Sequence, residues 1–162
     1  MLAVLYNLSV HALLGLGRIY ALFNNKAASF FKGRRKLLKT MQQEMSDISN
    51  PIAWFHCASL GEFEQARPVL EAFRQKNPSF KVLLTFFSPS GYEIRKNYEK
   101  ADFTYYLPTD TASNARKFIN ICQPSIAFFV KYEFWYNMVR ELKRQRVPLI
   151  GFSMIFRAES VF

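Results

Sequence analysis

The hydrophobic pattern divides the chain into two regimes. Residues 1–23, MLAVLYNLSVHALLGLGRIYALF, are apolar nearly throughout, with no acid and a single base, Arg18. That length approaches the about 20 residues a bilayer core requires, although Asn7, Ser9, His11 and the glycines weaken it as a span. A helix lying in the membrane interface is the alternative. A cleaved signal peptide fits less well, because a basic start and a small-residue cleavage site are missing. From Pro51 onwards the apolar residues gather in short runs, at 52–58, 81–87, 103–107, 125–130 and 148–152. Such runs predict strands covered on both faces. Between them the spacing predicts helices over Glu62–Lys76, Tyr92–Tyr98, from a cap at Thr109 or Asp110 to Ile121, and over Phe134–Gln145. Val69, Leu70 and Phe73 form the expected inner face of the first of these. Pro68 should kink it or mark a later start. Strands alternating with helices imply an α/β fold, a parallel sheet with right-handed crossovers and flanking helices.

Charge separates the two regimes. Lys26, Lys32, Arg34, Arg35, Lys36 and Lys39 follow the apolar run, with no acid before Glu44, and the net charge of the 162-residue chain is +10. A balance this basic implies an anionic partner: nucleic acid, an acidic membrane surface or a phosphorylated substrate. Basic residues beside an apolar segment mark its cytoplasmic end and attract anionic headgroups. An ordinary amphipathic helix with a solvated basic face is the other reading of the cluster. The division expected is a membrane-anchor helix over 1–24, a basic linker or helix over 25–49, and a Rossmann-like domain over 50–162. Cys57 and Cys122 have neither metal nor redox spacing and read as buried free thiols. His11 and His56 lack ligand partners at useful spacing, so no metal site is expected, and His56 should line a strand end. The chain contains no G-x-G-x-x-G, P-loop or nucleophile elbow.

Chemistry concentrates where strands end. After the first strand, Ser59-Leu60-Gly61-Glu62 combines small residues, which let a ligand approach the backbone, with a carboxylate at a helix start. Ser59-x-x-Glu62 is also the pattern of a capping box, in which both side chains serve only the helix amides. Ser88-Pro89-Ser90-Gly91 and Lys131-Tyr132-Glu133-Phe134-Trp135 follow the second and fourth strands. In a parallel sheet all three loops lie along one edge, where ligands of such folds bind.

Taken together, ASLGEFEQARPVLEAF, FFSPSGYE, YYLPTD and KYEFWYN, in this order and spacing, resemble the N-terminal half of bacterial Kdo transferases, from about Leu37 to the chain end. The family patterns are S-x-G-E, T-P-x-G, Y-x-P-x-D and E-x-E-x-W-P-N. Ser59, Gly61 and Glu62 match the first; Pro89 and Gly91 match the second, with Ser88 in place of Thr. Tyr106, Pro108 and Asp110 match the third, and Glu133, Trp135 and Asn137 the fourth, where Lys131 and Tyr136 replace an acid and a proline. The resemblance implies the acceptor half of a two-domain GT-B glycosyltransferase. Such an enzyme transfers 3-deoxy-D-manno-octulosonic acid (Kdo) from CMP-Kdo to a lipid A precursor, with inversion and without a bound metal or other cofactor. It implies Glu62 as general base, with Ser59, Gly61, Ser88, Gly91, Lys131 and Glu133 as substrate-binding residues. The implied partners are the lipid acceptor, an anionic membrane surface and CMP-Kdo held by a second domain beyond Phe162, with no nucleic acid. The implied location is the cytoplasmic face of the inner membrane. A non-enzymatic, membrane-tethered module for an acidic ligand or partner is the alternative.

Overall fold

A computed structural model describes residues 2–131 and 133–154. Tyr132 of the fourth motif and residues 155–162 of the expected domain lie outside them. Three helices come first: α1 (Leu2–Tyr20), α2 (Asn25–Lys32) and α3 (Leu37–Glu44). The alternating part follows as β1 (Ile52–Cys57), α4 (Leu60–Lys76), β2 (Lys81–Phe86), α5 (Pro89–Arg95), β3 (Phe103–Tyr106), α6 (Ala112–Cys122), β4 (Pro124–Val130), α7 (Tyr136–Arg144) and β5 (Leu149–Phe152). All strand pairs among these are parallel, in the order β3-β2-β1-β4-β5. This is the doubly wound α/β arrangement that the alternation predicts, with the strand order reversing between β1 and β4.

β1 is central and every residue in it is buried. Its side chains alternate between two cores, as the period of a strand dictates. Ile52 and Trp54 face the core that contains α3, α6 and α7, through Met41, Phe118 and Met138. Ala53, Phe55 and Cys57 face the core under α4, with Phe63, Ala66 and Leu70. The segment 25–49 contributes directly to the first core, where Leu37, Met41 and Met45 are buried.

Several boundaries move, each for a local reason. α4 starts at Leu60 rather than Glu62 and runs through Pro68. Pro68 is exposed, so the missing amide lies on the solvent side, and the later start that it could have marked does not occur. The buried stripe of α4 is Phe63, Ala66 and Leu70, while Val69 is 39% exposed and turns away from it. The cap of α6 is neither Thr109 nor Asp110 but Thr111, whose Oγ accepts from the Asn114 amide at 3.2 Å. α5 starts at Pro89, where Ser88 caps it and proline's fixed φ suits a first turn. α7 starts at Tyr136, two residues after the expected Phe134, because Asp110 caps it there: its carboxylate accepts from the Asn137 and Met138 amides, both at 3.0 Å.

The inner and outer faces of α4 should respond in opposite directions. Leu70→Ala is expected to cost about 2–5 kcal/mol, the range for emptying a packed site. Pro68→Ala should raise stability by about 1 kcal/mol or more, because it restores an amide on an exposed turn. Urea denaturation of the two variants checks both signs.

Candidate functional site

The C-terminal ends of β1, β2 and β4 do converge. The Ser88 amide donates to Ala58 O at 2.8 Å, tying the first two loops together, and the Lys131 amide donates to Phe152 O at 2.9 Å. Lys131 has φ 57°, in the left-handed region. For a residue with a side chain this costs roughly 1–2 kcal/mol, and it turns the chain sharply at the end of β4. The crevice between β1 and β4 is therefore bordered by Ser59–Glu62 on one side and Glu133–Trp135 on the other.

Glu62 folds back: its Oε2 accepts from the Ala58 amide at 2.5 Å. This is half of a capping box, displaced by one residue from the expected Ser59 amide. Ser59 is the N-cap residue of α4, but its hydroxyl makes no capping bond. A Cβ on Gly61 would meet nothing within 4 Å, so no protein group demands glycine there. Gly91 is different, since a Cβ would lie 2.3 Å from the Phe86 ring and packing against β2 accounts for it. Ser88 Oγ accepts from the Ser90 amide at 3.2 Å and shares a hydrogen bond with Ser90 Oγ at 2.9 Å.

Under the crevice lies a buried polar chain that the motifs did not reveal. His56 is fully buried. Trp135 Nε1 donates to His56 Nε2 at 3.1 Å, and His56 Nδ1 lies 2.9 Å from Thr85 Oγ1. An indole N–H can only donate, so Nε2 accepts and Nδ1 carries the ring proton towards Thr85. Thr85 Oγ1 also accepts from Trp54 Nε1 at 2.8 Å. Glu133 Oε2 stands 3.7 Å from His56 Nε2, with its side chain 19% exposed. Thus β1, β2 and the loop after β4 are joined through one imidazole. Between the two loops, burial pushes the Cys57 thiol well above its ordinary range, and the carboxylates Glu62 and Glu133 push it further.

Arg34 braces the same loops from the N-terminal side. Its Nε donates to Leu107 O at 2.8 Å, and its Nη2 to Phe87 O at 2.6 Å. Its guanidinium lies 3.7 Å from the centre of the Phe30 ring, 4.7 Å from Tyr106 and 5.1 Å from Phe87. Burial pushes its pKa down to about 9, opposed by Tyr106, which leaves it charged at neutral pH. One member of the basic cluster is therefore an internal clamp. Phe87 in turn packs against Trp135 at 4.6 Å between centroids, so the clamp reaches the crevice wall.

The third and fourth motifs meet through Asp110. Besides capping α7, its backbone carbonyl accepts from Asn137 Nδ2 at 2.7 Å, and its carboxylate accepts from Tyr6 Oη of α1 at 2.6 Å. Burial pushes the Asp110 carboxyl up, against the pull of the hydrogen bonds from Tyr6, Asn137 and Met138. Both residues stand in the motifs, but their pairing joins positions 27 apart that spacing could not connect. Among the described residues no three His, Cys, Asp or Glu side chains gather as a metal would require.

The fold is a doubly wound α/β domain, and ligands of such folds bind at the reversal of strand order. Residues 29–161 match the family described as 3-deoxy-D-manno-octulosonic-acid transferase (kdotransferase), and the chain belongs to that family. It is similar to the 3-deoxy-D-manno-octulosonic acid transferase of Haemophilus influenzae, 31% identical over 98 residues, which cover 60% of this chain and 23% of the relative. The transferase of Aquifex aeolicus is 33% identical over 89 residues, 53% of this chain and 24% of its own length. That of Chlamydia trachomatis serovar D is 28% identical over 121 residues, 71% and 28%. The chain thus spans about a quarter of the length of the curated relatives it matches.

Thr85→Val keeps the shape of the side chain and removes the shared acceptor. Two buried donors, Trp54 Nε1 and His56 Nδ1, would lose their partner. At about 1–3 kcal/mol each, the expected loss is several kcal/mol in chemical denaturation, far more than a solvent-facing threonine would show.

Proposed function

We propose that this chain forms the acceptor side of a Kdo transferase, with Glu62 as the general base. The observation that carries the reading is the pair of carboxylates, Glu62 and Glu133, flanking the strand-order reversal of a domain matched to this family. A hydroxyl of a phosphorylated lipid A precursor would lie in the crevice and attack the anomeric carbon of Kdo. The new carbon–oxygen bond forms as the bond to the CMP phosphate breaks. CMP leaves with the electron pair, and Glu62 takes the hydroxyl proton. A single displacement of this kind inverts the anomeric centre. Removing the proton during attack lowers the barrier, because a neutral sugar hydroxyl is a poor nucleophile.

Capping and base catalysis do not compete at Glu62. One oxygen is anchored on the Ala58 amide, which fixes the carboxylate. Its other oxygen has no hydrogen-bond partner among the described residues and can take the proton. The open space at Gly61 leaves room for the acceptor beside it. Ser59, Ser88, Lys131 and Glu133 supply the polar rim of the crevice and would contact the acceptor. CMP-Kdo would be held by the part of the transferase that this chain does not match. The exposed bases Lys26, Lys32, Arg35, Lys36 and Lys39 suit an anionic membrane and a phosphorylated lipid, on the cytoplasmic face of the inner membrane.

Glu62→Gln separates the base from the cap. Glutamine still accepts from the Ala58 amide, so the melting temperature should hardly move. It cannot take a proton, so turnover should fall on the order of a hundredfold or more. The measurement uses a chimaera in which this chain replaces the matched region of the Haemophilus influenzae relative, with CMP-Kdo and a tetraacylated lipid A precursor. Full turnover by Glu62→Gln would reduce Glu62 to a cap.

A further inference from the structure

The helix α1 has the length and composition of a membrane span, with no residue of it fully buried. Its contacts argue for a different placement. Near its first turn, Tyr6 Oη donates to Asp110, Asn7 Oδ1 accepts from Asn137 Nδ2 at 3.0 Å, and the Tyr6 ring lies 5.2 Å from Tyr136. Near its last turn, a Cβ on Gly17 would meet the Phe31 ring at 3.2 Å, and the Arg18 guanidinium lies 5.7 Å from the centre of the same ring. Residues 6 and 18 are about 18 Å apart along a helix axis. Over that length both ends touch the folded body. They touch it at the edge where the strands end, from the start of α7 across to α2.

A helix held at both ends by a polar domain cannot run across a bilayer without taking the domain with it. We propose that α1 is an in-plane membrane helix, latched along the crevice edge of the sheet, with its outer face in the lipid leaflet next to the domain. The outer face suits that occupant. Leu2, Leu5, Leu8, Leu13, Leu16 and Ile19 are 60–79% exposed, and Leu22 and Phe23 just beyond are 78% and 84% exposed. A helix facing water would show the reverse distribution.

The polar groups on the exposed side are quenched locally. Ser9 Oγ donates to Leu5 O at 3.0 Å, and His11 Nδ1 lies 2.7 Å from Asn7 O. Arg18 is drawn towards Phe31. The exposed bases of residues 26–39 then meet anionic headgroups, as interfacial helices require. Between α1 and the Ser88 loop a cavity of about 1070 Å³ opens, lined by Leu13, Gly17, Phe30, Phe87 and Pro89 among others. It connects the lipid-facing helix with the crevice edge. The placement does not depend on the transferase reading.

Two measurements test it without any need for turnover. The first places a protease site ahead of Met1 and uses inverted inner-membrane vesicles, whose cytoplasmic face is outward. An in-plane helix leaves the site on the side of the domain, and cleavage is expected. Protection of the site while the domain stays accessible means a spanning helix and overturns the proposal. The second uses Asn7→Cys with Asn137→Cys, bound to vesicles of phosphatidylethanolamine and phosphatidylglycerol. A short bismaleimide should join the two thiols in the bound state. No joining there, with joining in detergent solution, would show that α1 leaves the domain and would overturn the latch. Leu5→Asp with Leu16→Asp should lower vesicle binding by about tenfold or more. Unchanged binding would mean that the outer face does not enter lipid.

Discussion

β1 has no face left for solvent. Two parallel neighbours take its backbone groups, and a core covers each side, with Trp54 in one and Phe55 in the other. A strand so enclosed can offer chemistry only beyond its carboxyl end. Because the loop after β1 leads to α4 on one face of the sheet and the loop after β4 leads to α7 on the other, the loops at that end part and leave a crevice. The position of Glu62 follows from this constraint. So does the buried imidazole: His56 is the last residue of β1 on the Trp54 side, and every polar atom it has must be satisfied from β2 or from the loop after β4.

The order of elements was legible because buried parallel strands leave short, dense apolar runs, and the strand-end loops were legible because they hold the small and acidic residues between those runs. What spacing could not show was pairing at a distance. Asp110 reads as a helix cap in its own loop. It caps instead a helix that starts 26 residues later, because Thr111 already serves α6. Arg34 reads as one of six solvated bases. It is held by carbonyl oxygens and aromatic faces, which leave no acidic partner for a charge pattern to reveal. Val69 looked like part of a core stripe, but the rotation of α4 is set by Phe63, Ala66 and Leu70.

The site itself was legible in part. The Glu62 loop is where the motif placed it, and its backward fold onto Ala58 is the capping geometry shifted by one amide. Gly91 shows the opposite case. A glycine in a motif reads as room for a ligand, yet here the room is filled by Phe86. The His56 chain left a faint trace, Trp54 and Thr85 at strand positions where aliphatic residues would be expected, and a second tryptophan, Trp135, in the loop after β4. Each brings a polar atom into the core, and each atom finds another.

The brace formed by Arg34 also says where this polypeptide may be divided. The abrupt change of composition at Pro51 looks like a domain border, and a truncation there leaves all five strands in place. Yet it would strip Leu37, Met41 and Met45 from the core beneath Trp54. It would also take the guanidinium away from Phe87 O and Leu107 O, just beyond the ends of β2 and β3, and so loosen Phe87, which packs against Trp135 of the crevice wall. A shortened protein that keeps these contacts therefore begins ahead of Phe30, in the midst of the basic stretch, and one that starts at the sheet would be a sheet with its rim undone.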